Sequence, residues 1–301
     1  MDRRRALGFL AAACAAATLP ARAQAPALHV RTVAASGEKI PVVGLGTWLT
    51  FDVGGADSGP RRARGEILQA FFASGGRLVD SSPMYGSSEE VIGAELARTP
   101  APRLFAATKV WTVGGLAGRR QMEHSRGLWR VPRFDLMQVH NLLDWESHWP
   151  TLKAWKAEGR MRHIGMTTSH GRRHDDLEGL LRRERMDFVQ VTYNLNDREV
   201  ERVLLPLAAE RGTAVIVNRP FDGGSLFGAK TARPLPGWAA EIGCRSWAEA
   251  FLKWIAAHPA VTCAIPATSR LAHLHENMRA LAGPLPDAAL RRRIADDYAR
   301  A

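Results

Sequence analysis

The sequence predicts an α/β protein folded as one (β/α)8 TIM barrel, with an N-terminal hairpin capping the barrel floor. Three observations carry that prediction. Eight short apolar runs of strand type recur along the 301-residue chain, mostly about 25–35 residues apart, the length of one strand–helix unit. Helical patterns fill the intervals between them. No G-x-G-x-x-G follows any of the runs, so the alternative, an open doubly wound sheet with a dinucleotide fingerprint, lacks its signature.

The fold is expected to begin after a leader. Arg3, Arg4 and Arg5 open onto an apolar stretch that reaches Leu19, and Ala21-Arg22-Ala23 supplies a small-residue cleavage site before Gln24. That is the layout of a secretory signal. An arginine pair running into Leu7-Gly8-Phe9-Leu10 resembles the twin-arginine kind. Residues 1–23 are therefore expected to be cleaved after Ala23, leaving 24–301 as a single domain in the periplasm, delivered by the twin-arginine (Tat) export machinery. A lipoprotein reading at Cys14 is weaker, because Ala11-Ala12-Ala13 stands where a larger apolar residue is expected. Beyond the leader no stretch approaches the ~20 apolar residues of a membrane span. A monomer without stable membrane insertion is expected.

The elements follow in order. Residues 29–41 hold Ser36-Gly37-Glu38 between two short runs, which predicts the hairpin. Strands are predicted at 41–46, 77–80, 104–109, 134–140, 163–166, 188–191, 214–217 and 261–265. Helices are predicted at 64–74, 88–98, 149–158, 197–211 and 246–258, stopped by Gly75, Gly159, Gly212 and Pro259. The Gly- and Pro-rich stretch 222–243 is long enough to form a flap.

Composition narrows the function classes. The chain carries a formal net charge of +11, and loss of residues 1–23 removes four arginines and one aspartate, leaving +8. The basic residues are scattered over predicted helix surfaces, with no aromatic-interleaved patch, so nucleic acid is not an expected partner. Three cysteines, Cys14, Cys244 and Cys263, without a CxxC pair exclude a disulfide framework or a Cys-rich zinc site. Whether Cys244 and Cys263 pair depends on a distance that sequence does not give. His170-x-x-x-His174 with Asp175 and Asp176 has metal-like spacing, but a solvated polar face accounts for it, and no metal is expected.

Catalytic residues of such barrels sit where strands meet the following loops. The second strand ends in Asp80, the third in Lys109 and the fourth in His140, with Tyr85 five residues past Asp80. Three ionisable groups closing consecutive apolar runs converge on one small space. A tyrosine with a reference pKa near 10 needs help to act as an acid at neutral pH, and an ammonium nearby favours its phenolate. Lys109 is placed to supply that ammonium, Asp80 to hold it charged and aimed, and His140 to orient a carbonyl oxygen.

These residues and their order closely resemble the aldo-keto reductases over essentially the whole chain after the leader. Gly44-Leu45-Gly46-Thr47-Trp48 is similar to the family's first strand, and Asp80 to Gly86 followed by Ser88-Glu89-Glu90-Val91-Ile92-Gly93 resembles its D-x-x-x-x-Y-G-x-x-E-x-x-(L/I)-G signature. Thr108-Lys109-Val110, Gln138-Val139-His140 and Gly159-Arg160-Met161-Arg162-His163-Ile164-Gly165 match its later strands. The resemblance implies reduction of a small-molecule aldehyde or ketone by NADPH, with NAD(H) as the alternative cofactor, and Tyr85 as general acid. It places the nicotinamide near Thr167, Thr168, Gln190, Asn218 and Arg219, and the adenosine end near Thr268, Arg270, Glu276 and Asn277. Arg270 is a candidate 2′-phosphate contact or a solvated helix-start arginine. Trp48 and Trp111 fall where the family's pockets carry aromatic walls, with core packing an equal reading for Trp111.

Four residues at three places depart from the family pattern. Thr167-Thr168 replaces a common Ser-Asn pair, Asn218 replaces a stacking aromatic, and Ala267 stands where some members carry lysine. A second functional reading is a reductase-like cofactor-binding or regulatory protein with little or no turnover. The intact tetrad favours the enzyme, whereas the altered nicotinamide contacts and an exported location favour the second reading.

Overall fold

The computed structural model describes residues 27–101 and 103–300, so the leader expected at 1–23 lies outside the described residues. Strands β1 (Val30–Thr32) and β2 (Lys39–Pro41) form the predicted antiparallel hairpin. Its turn is closed by Val33 N–H on the Glu38 carbonyl at 2.8 Å, with Gly37 at φ +71° where a side chain would strain the backbone. Val33 and Ile40 reach up into an apolar cluster with Leu78, Phe105, Leu136 and Phe188. The hairpin therefore plugs the floor.

Eight parallel strands follow: β3 (Leu45–Gly46), β4 (Leu78–Asp80), β5 (Phe105–Val110), β6 (Phe134–Val139), β7 (Met161–Thr167), β8 (Phe188–Thr192), β9 (Ala214–Asn218) and β10 (Cys263–Ala264). They pair in chain order, and parallel bridges Val43–Ala264 and Gly46–Ala267 join the last to the first. Gly44 and Gly46 permit this closure. A Cβ on Gly46 would stand 2.7 Å from the Ile265 carbonyl oxygen. All eight predicted strands are present, the first and last trimmed to two residues because their ladder is reduced to bridges.

Helices wrap the outside. The helix predicted at 64–74 runs as α1 (Gly59–Ala73), started earlier by Ser58, whose hydroxyl accepts from Arg61 N–H, with proline in the first turn. The predictions at 88–98, 149–158 and 246–258 become α2 (Ser88–Leu96), α4 (Trp145–Ala157) and α8 (Trp247–Ala256). The stretch 197–211 splits into a 3-10 turn at Glu199–Glu201 and α6 (Leu204–Arg211), with Pro206 able to sit only near the helix start. The remaining helices are α3 (Gly115–Trp129), α5 (His174–Arg183), α7 (Trp238–Glu241), α9 (Leu271–Arg279) and α10 (Ala288–Ala299). Gly75, Gly159 and Gly212 follow α1, α4 and α6 with φ of +87°, +74° and +65°, the left-handed stop that favours glycine. The 222–243 stretch is more ordered than a bare flap. It carries two 3-10 turns and α7, and the Trp238 indole donates to Asp297 of α10 at 2.9 Å. Cys244 and Cys263 are both free thiols. Among the described residues no helix is long and apolar enough to cross a membrane.

Candidate active site

Strand alternation decides which side chains meet, since every second residue faces the same way. Leu78 and Asp80 share one face of β4; Phe105, Ala107 and Lys109 share one face of β5. Leu136 and Gln138 do so on β6 with His140 just beyond, and Phe188 and Gln190 on β8. The lower members are apolar and pack inside the barrel. The upper members are polar and gather around a cavity of about 950 Å³ at the C-terminal ends of the strands, lined by Asp80, Tyr85, His140, Gln190 and Asn218 among others.

At the base of the cavity Lys109 is fully buried. Its Nζ donates to Asp80 Oδ2 at 2.5 Å and to the Ser81 carbonyl at 2.7 Å, and lies 5.0 Å from the centre of the Tyr85 ring. The second Asp80 oxygen, Oδ1, accepts from the side-chain amides of Gln138 at 3.2 Å and Gln190 at 3.1 Å. The His140 ring meets Tyr85 edge-on, centroids 5.8 Å apart. The structure thus brings together all four residues that the sequence singles out.

Burial and charge then fix protonation. Burial lowers the Lys109 pKa, but the Asp80 carboxylate and Tyr85 outweigh it and hold the ammonium above its ordinary value. Burial raises the Tyr85 pKa more than Lys109 lowers it, with Asp80 adding to the rise. The lysine therefore tempers Tyr85 without bringing it to neutral pH, and the phenol keeps its proton. His140 is pushed down to about 2 by burial and by the Lys109 charge, so its imidazole is neutral.

Three further residues complete the site, none of them assigned a role from sequence. The Ser82 hydroxyl accepts from Met84 N–H at 3.2 Å and lies 2.9 Å from His140 Nδ1. Its one proton is best donated to Nδ1, which leaves the imidazole proton on Nε2, toward the cavity. Gln138 orients Asp80 and could have been found by counting two back from His140 in the strand period. Glu89 ties α2 to β5 and α3: its oxygens accept from Thr108 Oγ1 at 2.5 Å, Ser125 Oγ at 2.7 Å and Trp129 Nε1 at 3.1 Å. Thr108 faces out because Lys109 faces in.

The residues assigned to cofactor contacts divide. Thr167, Gln190, Asn218, Arg219, Thr268, Glu276 and Asn277 line the cavity. Asn218 Nδ2 donates to the Thr168 carbonyl at 2.9 Å, and its Oδ1 accepts from Thr192 Oγ1 at 2.7 Å, so the amide is held in place. Thr168 is buried with its hydroxyl unpartnered and is not part of the cavity wall. Arg270 caps α9 with an exposed side chain outside the wall. Trp48 forms part of the wall, with the Arg219 guanidinium 5.8 Å from its ring, whereas Trp111 is 41% exposed and lies outside both the wall and the core. His170 faces the cavity and His174 is buried at the start of α5, so the pair does not share one solvated face.

Comparison with known proteins agrees with this geometry. The profile of the Aldo/keto reductase family matches residues 42–293. The NADH-specific methylglyoxal reductase of Escherichia coli is 29% identical over 234 residues, covering 65% of this chain and 68% of its own length. A thermostable aldo-keto reductase solved with the inhibitor epalrestat superposes with a TM-score of 0.75 at 26% identity, covering 90% of this chain and all of that one. A Klebsiella pneumoniae aldo/keto reductase solved with NADP and acetate shares the fold at a TM-score of 0.72 and 23% identity, covering 87% and 93% of the two chains. With eight closed strand–helix units, the buried Asp80–Lys109 pair beneath Tyr85, and a family match spanning most of its length, this chain belongs to the aldo/keto reductase family.

Proposed function

We propose that this protein reduces an aldehyde or ketone to an alcohol with NADPH, NAD(H) being the alternative cofactor, and that Tyr85 is the general acid. The observation that carries the proposal is a protonated phenol on the cavity wall backed by a buried ammonium and flanked by a neutral imidazole. The cavity fits a dinucleotide. It is large, walled by Pro220, Phe221 and Ile265, bordered by the Gly223-Gly224 pair, and studded with amide and hydroxyl groups from β7 to α9. Thr167, Gln190 and Asn218 would hold the nicotinamide end, and Thr268, Glu276 and Asn277 the adenosine end, with the exposed Arg270 next along the chain from that end for a 2′-phosphate. The neighbour with bound NADP and the NADH-specific relative support a nicotinamide cofactor. When bound, that cofactor supplies the hydride.

The chain's own residues do the rest. His140 Nε2–H hydrogen-bonds the carbonyl oxygen and orients it toward Tyr85. The Tyr85 hydroxyl releases its proton to that oxygen as negative charge develops there. Lys109 steadies the phenolate left behind, and Asp80, held by Gln138 and Gln190, keeps Lys109 charged and in line.

The test is oxidation of NADPH, and separately NADH, by the purified protein with a panel of aldehydes, alongside Tyr85→Phe. Activity lost in Tyr85→Phe with cofactor affinity nearly unchanged supports the role; undiminished activity removes it. Cofactor binding with no turnover of any carbonyl favours the binding-protein reading instead. We also propose that the leader at 1–23 directs a monomer to the periplasm by the twin-arginine route, with the cofactor carried in the folded protein. Cell fractionation with an Arg3→Lys, Arg4→Lys, Arg5→Lys variant tests this: cytoplasmic retention supports it, and unchanged export refutes it.

A further inference from the structure

The cavity wall holds a cation that the proposed reaction does not use. The loop after β7 turns tightly, with His170, Gly171 and Arg173 at φ of +60°, +64° and +58°. Such backbone persists only where its surroundings hold it. Here the hold comes largely from the turn that carries His140. Ser169 Oγ donates to Asn141 Oδ1 at 3.1 Å, and the Arg173 guanidinium donates to the carbonyls of Asn141 and Leu142 at 3.3 and 3.0 Å. Asn141 directly follows His140, so the loop tip is fixed to the wall that orients the carbonyl.

Three guanidiniums lie in this region and two are engaged. Arg173 pairs with Asp176 at 2.8 Å, and Arg219 pairs with Asp222 at 3.3 Å. Arg172 lines the cavity with an exposed side chain, and among the described residues no carboxylate lies within 4.0 Å of it. The wall also contains Trp48, Leu49, Met84 and Phe227, all apolar and all at least 36% exposed. Leu49 is 72% exposed at φ +59°, an apolar side chain presented to the cavity mouth from a backbone that leucine disfavours. A ligand that satisfies both features has an apolar body and an anionic end.

We propose that the substrate is a carbonyl compound with an apolar body and a carboxylate remote from the carbonyl, and that Arg172 is the specificity-determining residue that binds the carboxylate. This rests on the carbonyl-reductase reading and adds a substrate class to it. A guanidinium fork matches a carboxylate with two parallel hydrogen bonds, whereas an ammonium offers a point charge.

The test compares 4-formylbenzoate with 4-methylbenzaldehyde, which share the ring and aldehyde and differ in the remote group. In Arg172→Gln the ratio of kcat/KM for the charged over the neutral aldehyde is expected to fall about tenfold, and in Arg172→Lys by less. The affinity for 4-formylbenzoate read by tryptophan fluorescence, with Trp48 and Trp247 both in the wall, should weaken in parallel. An unchanged ratio, an equal loss on both aldehydes, or a matching loss of NADPH affinity overturns the proposal, the last assigning Arg172 to the cofactor's phosphates. The reductase reading fails separately, when the parent protein turns over no aldehyde of the wider panel, and the fluorescence titration then still decides whether Arg172 binds the carboxylate.

Discussion

Asp80→Asn removes one negative charge from the centre of the barrel and leaves the Lys109 ammonium buried, with the Ser81 carbonyl as its remaining strong acceptor. The pair is almost wholly shielded from water, with side-chain exposures of 0% and 2%. Removing one partner of such a pair costs about 3–5 kcal/mol, because the other charge loses its compensation and cannot regain solvent. For a domain of this size that lowers Tm by on the order of 10 °C. The pH dependence has a definite sign. Lys109 is raised in the folded state, so its contribution is complete below the unfolded lysine value of 10.5 and is lost as pH rises through the folded value. Asp80→Asn should abolish that alkaline fall. Loss of the aligned ammonium should also reduce kcat by about a hundredfold. Urea unfolding at pH 7 and at about pH 11.5, above the unfolded lysine value, read by circular dichroism beside steady-state rates at pH 7, measures each effect. A variant within ~1 kcal/mol of the parent at both pH values would refute the claim that this pair is dry and mutually dependent.

Further outcomes follow from the same structure. Ser82→Ala frees His140 Nδ1 to take the imidazole proton, and should lower kcat/KM about tenfold while leaving the thermal midpoint within ~2 °C, an intact kcat/KM counting against the tautomer argument. His163 is buried inside the barrel between Phe105 and Phe188, neither ring nitrogen is hydrogen-bonded, and burial lowers its pKa, with the Asp187 carboxylate 3.9 Å away opposing and Arg162 and Lys156 reinforcing. Its neutral form is the native one, so stability is complete above the unfolded value of about 6.5 and is lost as pH falls below it. His163→Phe should flatten that acid limb in chemical denaturation at pH 5 against pH 7.5, and an identical slope would show that His163 does not carry it. Gly93→Ala would set a Cβ 1.8 Å from the Leu128 carbonyl oxygen, where α2 crosses α3, and should cost about 3 kcal/mol in urea unfolding. A neutral result would mean that the two helices can separate freely.

Much of this protein is written locally in its sequence. A β-strand buried on both faces must be apolar throughout, so eight such runs with helices between them specify the barrel from composition and spacing alone. Asp80, Lys109 and His140 were legible because charge at the end of an apolar strand is costly unless used, and their inward direction follows from the two-residue period that also turns Phe105 and Leu136 inward. The glycines after α1, α4 and α6 marked helix ends because only a left-handed residue without a Cβ closes them cheaply. Gly93 and Glu89 belong to the family signature, but their reasons are tertiary: one lets two helices touch, and the other gathers donors from three elements.

Local pattern therefore settles the set of elements and the identity of the four central residues. The folded chain decided their protonation, because the balance among burial, Lys109 and Asp80 at Tyr85 depends on distances between three strand ends. It also decided which flanking residues reach the cavity, admitting Trp48 and Asn218 and leaving out Thr168, Arg270 and Trp111. Periodicity is a property of one strand or helix, whereas the hydroxyl that sets the His140 tautomer and the placing of Arg172 in the wall arise only when loops from different strands are closed against each other.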